Sequence, residues 1–102
     1  MKDEVNRWMS MAKDDISSAQ SNHNSGKFYV CVFLCQQTAE KSLKALLIKK
    51  TSKLFKVHDL VLLGNKVQVP SQLLEKCDKL NSSYIDTRYG DLEGTLPSKK
   101  FD

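Results

Sequence analysis

The stretch Phe28-Tyr29-Val30-Cys31-Val32-Phe33-Leu34-Cys35-Gln36-Gln37-Thr38-Ala39-Glu40-Lys41-Ser42-Leu43-Lys44-Ala45-Leu46-Leu47 decides the fold class. Phe28, Val32, Cys35, Ala39, Leu43 and Leu46 step by four and three and form one apolar seam. Tyr29, Phe33 and Leu47 form a second seam beside it. The spacing predicts the longest helix of the chain, over residues 25–50, with Ser25 as its N-cap. Its first half is apolar nearly all round. A surface helix needs a single apolar stripe, so this one is expected at the centre of the fold or in a subunit interface.

Towards the N-terminus, Val5, Met9, Ala12, Ile16 and Ala19 repeat the stepping, widened by Trp8. They predict an amphipathic helix over residues 3–22 with one buried face, and Asp14 and Asp15 fall elsewhere on its wheel. Ser21-Asn22-His23-Asn24-Ser25-Gly26 is a cluster of turn formers. A link this short makes the two helices antiparallel neighbours. Towards the C-terminus, a lysine-rich loop over 51–57 leads into His58-Asp59-Leu60-Val61-Leu62-Leu63. That run starts a short third helix, ending near Gly64-Asn65 or a turn later. Pro70-Ser71 opens a fourth, where the missing proline N–H costs nothing. Leu73, Cys77, Leu80 and Tyr84 continue it. Residues 85–102 hold Gly90, Gly94 and Pro97 without a period and are expected as an irregular tail. The chain reads as one all-α domain over residues 1–102, an up-and-down antiparallel bundle.

Composition excludes several classes. The chain has 102 residues, one domain's worth, with 40% apolar and 27% charged residues, a globular mix. A core of this size leaves apolar surface open, so a homodimer is expected. No run approaches the roughly eighteen apolar residues of a membrane span. Met1-Lys2-Asp3-Glu4 leads into a pattern containing acids, unlike a secretory signal or transit peptide, and a cytoplasmic protein is expected. Cys31, Cys35 and Cys77 lie inside apolar patterns and read as reduced, packed thiols. They lack the spacing and the fourth ligand of a zinc site. There is no glycine-rich phosphate loop and no nucleophile elbow. No metal or cofactor is expected, and a nucleotide site would be built from side chains between helices.

Gln36-Gln37-Thr38-Ala39-Glu40-Lys41-Ser42-Leu43-Lys44-Ala45-Leu46 resembles the Q-x-A-E-K-x-L-K-A-L signature of HEPN domains, the higher eukaryotes and prokaryotes nucleotide-binding family. Trp8 and Ala12 followed by Asp15 agree with its first helix. Gly26-Lys27-Phe28-Tyr29 resembles its G-x-Y lead into the second helix, and His58-Asp59-Leu60 its H-D-L start of the third. Tyr84-Ile85-Asp86-Thr87-Arg88-Tyr89 resembles its Y-x-x-x-R-Y segment. The resemblance implies a small prokaryotic protein of the nucleotidyltransferase-associated type. Such proteins act beside a minimal nucleotidyltransferase in two-component, often toxin–antitoxin, pairs, and the implied ligand is a nucleotide or an RNA phosphate. Relatives usually continue past an R-Y-P-D segment into a final helix. Here Gly90 follows Tyr89 and the sequence stops at Asp102, so the closing helix is expected to be lacking and part of the second and fourth helices uncovered. Either the sequence is a shortened form or dimerisation covers the gap.

Arg88 is one of two arginines, against fourteen lysines. Its guanidinium fork suits bidentate recognition of phosphate or carboxylate, and Tyr84 and Tyr89 beside it could frame a base or a sugar. The alternative is a structural ion pair with Glu40 or Asp59. Ribonuclease members of the family use an arginine followed by a histidine about four to six residues later, as phosphate cation and acid/base. After Arg88 that window holds Leu92, Glu93 and Gly94, and after Arg7 it holds Met11, Ala12 and Lys13. The motif is absent, so a binding module is expected and no catalytic residue is assigned. A metal-independent ribonuclease using Arg88 and His58 together is the alternative.

Three roles are open to His58: capping the third helix or anchoring its start by a hydrogen bond, facing a ligand, or pairing with Asp59 or Glu40. His23 is expected to be solvated in its polar turn. Glu40 and Lys44 are spaced as an exposed helix pair. Were Glu40 buried, it would need a partner such as Arg88 or His58. The candidate ligand-binding set is therefore Arg88, Tyr84, Tyr89, His58, Glu40 and Lys44. Lys41, Lys44, Lys49, Lys50, Lys53 and Lys56 read either as a phosphate-attracting rim or as a solvated basic face. Phe55 is their sole aromatic neighbour in sequence, so no stacking platform is expected.

Overall fold

The computed structural model describes residues 2–89, without the side chains at 84 and 86–89. Four helices follow in order: α1 (Lys2–Asn24), α2 (Phe28–Thr51), α3 (Leu60–Val67) and α4 (Ser71–Tyr89). No strand occurs among the described residues. Among the described residues α1 packs against α2 alone, whereas α3 and α4 pack on α2 and on each other. α2 is therefore the central helix, as its wide apolar surface predicts.

The α1–α2 link is set by backbone geometry. Gly26 takes φ +77°, a left-handed conformation open to glycine at no steric cost. Its N–H donates to the His23 carbonyl at 3.1 Å, and the Lys27 N–H reaches back to Asn22 at 2.8 Å, the Schellman closure of a helix. Ser25 does not cap α2, contrary to expectation. Its hydroxyl and its N–H both return to the Ser21 carbonyl, at 3.0 and 3.1 Å, so its side chain serves the end of α1 instead. Lys27 stands at the N-cap of α2 and gives it no side-chain hydrogen bond.

Ala12 and Ala19 are buried, and their small side chains let α1 approach α2 closely. Ile16, expected inside, is exposed. Half-buried Asp15 lies one residue round the wheel and pairs with Lys41 of α2. The core proper joins Leu43 and Leu47 of α2 to Leu60, Leu63 and Val67 of α3. Leu46, the last residue of the predicted seam, is 42% exposed, and Phe28 and Phe33 are also open.

Asp59 caps α3: its Oδ1 accepts from the N–H groups of Val61 and Leu62 at 2.9 and 3.2 Å. Capping thus falls to Asp59, while His58, just before it, anchors the start of α3 by hydrogen bonds to α2. Gly64 lets α4 come close, since a Cβ there would stand 3.0 Å from Leu74 Cδ2. The Pro70 carbonyl accepts from the Leu73 and Leu74 N–H groups at 2.9 and 3.1 Å as α4 begins. α4 continues through Tyr89, so residues 85–89, expected in an irregular tail, are helical. Residues 90–102 of that tail lie outside the described residues.

Between α2 and α4 runs an open apolar groove of about 260 Å³, with Ala39, Leu43, Leu73, Cys77 and Leu80 on its walls. Cys31, Cys35 and Cys77 are free. Burial pushes the Cys35 and Cys77 thiols up, with neighbouring Cys31 adding to the effect on Cys35. Among the described residues no helix is long and apolar enough to cross a membrane, and no cluster of three or more His, Cys, Asp or Glu side chains could hold a metal ion.

Candidate functional site

Gln36, Glu40 and Lys44 stand one turn apart on a single face of α2, and all three are buried. A stripe that resembles a solvated helix pair is turned into the fold. Burying it is tolerable because its polar atoms find partners. No buried side-chain nitrogen or oxygen among the described residues lacks a hydrogen bond. Lys44 Nζ donates to Glu40 Oε2 at 3.0 Å and stands 5.5 Å from the Trp8 ring centroid. Gln36 Nε2 donates to Glu40 Oε1 and to the His58 carbonyl, both at 3.3 Å. Gln37 Nε2 donates to Gln36 Oε1 at 2.7 Å.

His58 completes the network. Its Nδ1 meets Glu40 Oε1 at 3.1 Å and Oε2 at 3.0 Å. Burial pushes the Glu40 carboxyl up. Hydrogen bonds from Lys44 and His58, the Lys44 charge and the Gln36 amide outweigh it and hold the group below its ordinary 4.5. An ionised carboxylate only accepts, so the proton of the contact belongs to Nδ1. The rest of the imidazole is open: the His58 side chain is 73% exposed, against 5% for Glu40. No described residue hydrogen-bonds its Nε2.

The exposed ring lines a shallow cleft of about 200 Å³ with Asp59, Asn81 and Ile85. Asn81 ties its two sides together. Its Oδ1 accepts from the Leu60 N–H at 3.0 Å, and its Nδ2 donates to Asp59 Oδ1 at 2.8 Å. The Asn81 amide and the Leu62 and Val61 N–H groups hold the Asp59 carboxyl below its ordinary 3.8, against the opposing effect of burial. Arg88 is three positions beyond Ile85 and seven beyond Asn81, which puts it on the same face of α4. Tyr84 and Tyr89 occupy the positions adjoining Ile85 and Arg88. The side chains of Tyr84, Arg88 and Tyr89 lie outside the described residues.

Of the six candidate ligand-binding residues, His58 is thus open to solvent, while Glu40 and Lys44 are buried behind it. Sequence reasoning foresaw His58 as a partner for a buried Glu40 but missed Gln36 and Asn81. Gln36 leaves a faint signal, one turn before Glu40 on an otherwise apolar helix. Asn81 leaves none. The six lysines do not form one face. Lys41 pairs with Asp15, Lys44 with Glu40, and Lys50 Nζ donates to the Val67 carbonyl at 2.9 Å. Lys49, Lys53 and Lys56 are exposed. Lys49 joins Lys2 on a larger cleft of about 430 Å³ between α1 and the end of α2, lined by no histidine or carboxylate. His23 is exposed, its ring centroid 5.3 Å from that of Phe28.

The family model of the HEPN domain matches residues 5–100. The crystal structure of an archaeal HEPN homologue is similar at 26% sequence identity, with a TM-score of 0.80 over 95% of this chain and 78% of that chain. A crystal structure of a protein from Thermus thermophilus has the same fold, at 22% identity and a TM-score of 0.82, over 95% of this chain and 80% of that one. No curated protein sequence matches the chain.

Proposed function

The chain belongs to the HEPN domain family, and from that membership we propose that it is a binding module for a nucleotide or an RNA phosphate, acting beside a minimal nucleotidyltransferase in a two-component pair. One observation carries the site. The cleft of His58, Asp59, Asn81 and Ile85 opens on the face of α4 to which the Arg88 position belongs. An arginine there supplies the cation for a phosphate, and the imidazole supplies a hydrogen-bonding edge for the rest of the ligand. Tyr84 and Tyr89 adjoin that face and serve as stacking partners for a base. Glu40 and Lys44 act from behind the imidazole, since burial keeps them from touching a ligand.

Calorimetric titration with nucleotides and a short RNA, on the wild type, Arg88→Ala and His58→Ala, tests the reading. Binding lost in Arg88→Ala, with the RNA recovered intact, supports it. Saturable binding that survives Arg88→Ala overturns the site.

A ribonuclease is the second reading, favoured by the carboxylate-backed imidazole, whose Nε2 no described residue engages. RNA cleavage lost in both Arg88→Ala and His58→Ala establishes it in place of the first.

A further inference from the structure

A neutral imidazole has two forms, and they present opposite chemistry to a ligand. With the proton on Nε2 the exposed edge donates. With the proton on Nδ1 it accepts. Free histidine prefers the Nε2–H form, so an exposed ring left to itself offers a donor. His58 is exposed, but it is not left to itself. Its Nδ1 faces both oxygens of a carboxylate that is 5% exposed and fixed by Lys44 and Gln36. Gln36 also holds the His58 backbone carbonyl, so one amide braces both halves of the contact.

We infer that Glu40 is a positioning residue: it locks His58 as the Nδ1–H form, so that Nε2 faces the cleft as a hydrogen-bond acceptor and selects ligands that donate a hydroxyl there, a ribonucleotide over its deoxy counterpart. The second half rests on the cleft being the nucleotide site proposed above. The first half stands on the Glu40–His58 contact alone. The other polar groups of the cleft are partly engaged already. Asp59 Oδ1 is occupied by Asn81, Val61 and Leu62, and the Asn81 amide is divided between Asp59 and Leu60. Among the described residues lining the cleft, two acceptors are therefore left unengaged, the imidazole edge and Asp59 Oδ2, and the first is the one that Glu40 sets and that His58→Ala removes. A 2′-hydroxyl, which distinguishes RNA from DNA, is a donor that fits it.

The test has two arms. In alkaline solution, where imidazoles are neutral, the ring-nitrogen NMR signals of wild-type His58 are expected to show protonated Nδ1 and unprotonated Nε2. His23 serves as the control within the same chain. A His58 that shows the Nε2–H form overturns the inference. Glu40→Gln should move His58 towards the mixture of free histidine. Because that change strands the Lys44 ammonium, it is also made together with Lys44→Met, and an unchanged Nδ1–H form in the folded double variant overturns the role of Glu40. In the second arm AMP and 2′-deoxyAMP are titrated calorimetrically. One net hydrogen bond predicts a preference for AMP of about tenfold, abolished by His58→Ala and reduced in the double variant. Equal affinities in the wild type overturn the hydroxyl selection. If neither nucleotide binds, the proposed function and the selection fall together, and the NMR arm still decides whether Glu40 positions His58.

Discussion

His58 Nδ1 lies 3.0 Å from Glu40 Oε2, and the two side chains differ in exposure from 73% to 5%. An interior charge is thereby linked to a surface ring across 18 residues of sequence. The same carboxylate binds Lys44, so disturbing the ion pair disturbs the ring. Glu40 is the hinge between stability and site chemistry in this fold.

The Glu40–Lys44 pair should show strong coupling in stability. Removing one partner leaves the other as an uncompensated buried charge, which typically costs about 3–5 kcal/mol. Lys44→Met is expected to destabilise by about 3 kcal/mol, since His58 and Gln36 still engage the carboxylate. Glu40→Gln with Lys44→Met should cost clearly less than the two single changes added together. Urea unfolding of the four proteins checks this, and simple additivity would rule out a buried, coupled pair.

That pair also shows where sequence reasoning reaches its limit. The helices are legible because Phe28 to Leu47 and Val5 to Ala19 carry the periodicity that helices need, and the short turn between them leaves one antiparallel arrangement. The inward polar stripe is not legible. Glu40 and Lys44 have the same spacing whether water or protein surrounds them. Their burial follows from α1, which brings Trp8 to Lys44, and from the segment at His58, which brings a carbonyl to Gln36. Both approaches are made by residues remote in sequence. Asp59 was readable in principle, as an aspartate standing before an apolar run. Asn81 was not, because its value lies in two partners more than twenty residues away. Ile16 and Leu46 were misplaced for a related reason. Apolar periodicity shows which face is apolar, and the neighbouring helices determine how far round that face they cover.

Stability should fall in acid with a definite order. The folded state holds Glu40 below 4.5 and Asp59 below 3.8, so the unfolded chain takes up protons first as pH drops. The contribution of each carboxylate is complete above its ordinary value and is lost as pH falls through its lowered folded value. Urea midpoints measured against pH should begin to fall within about one unit above 4.5 and fall progressively below it. Asp59→Asn should remove the lower part of that loss. A decline from these groups that begins well above 4.5 would contradict the lowered Glu40 value.

Among the described residues, three helix ends adopt left-handed backbone, and one of the three has glycine. Ser52 has φ 61° and Gln68 φ 67°, whereas Gly26 has φ +77°. A side chain in this region costs about 1–2 kcal/mol. Ser52→Gly and Gln68→Gly should each stabilise by about 0.5–1 kcal/mol, after the entropy of glycine in the unfolded chain is subtracted. Gly26→Ala should destabilise by about 1 kcal/mol. No atom lies within 4 Å of a Cβ added at Gly26, so that loss would report backbone conformation and not a clash. Thermal melts of the three variants provide the comparison, and a neutral Gly26→Ala would count against the Schellman closure.

The Asp59–Asn81 bond should couple the start of α3 to α4 and hold the cleft in shape. Asp59→Ala removes the cap acceptor of two N–H groups, a change worth about 1–2 kcal/mol. Asn81→Ala leaves the Leu60 N–H without its partner and frees Asp59 to turn away. Unpairing a buried donor typically costs about 1–3 kcal/mol. Since Asp59 and Asn81 touch at 2.8 Å, a double-mutant cycle should return a coupling above about 0.5 kcal/mol. Asn81→Asp is the sharper probe. It keeps the oxygen that serves Leu60 but sets a second carboxylate against Asp59, where like charges repel. Its loss of stability at neutral pH should therefore exceed that of Asn81→Ala and shrink in acid, as one carboxyl of the pair takes up a proton. Guanidinium unfolding would mask this charge effect by screening, so urea at low ionic strength is the appropriate measurement. An Asn81→Asp protein no less stable than Asn81→Ala at neutral pH would show that the two side chains do not meet.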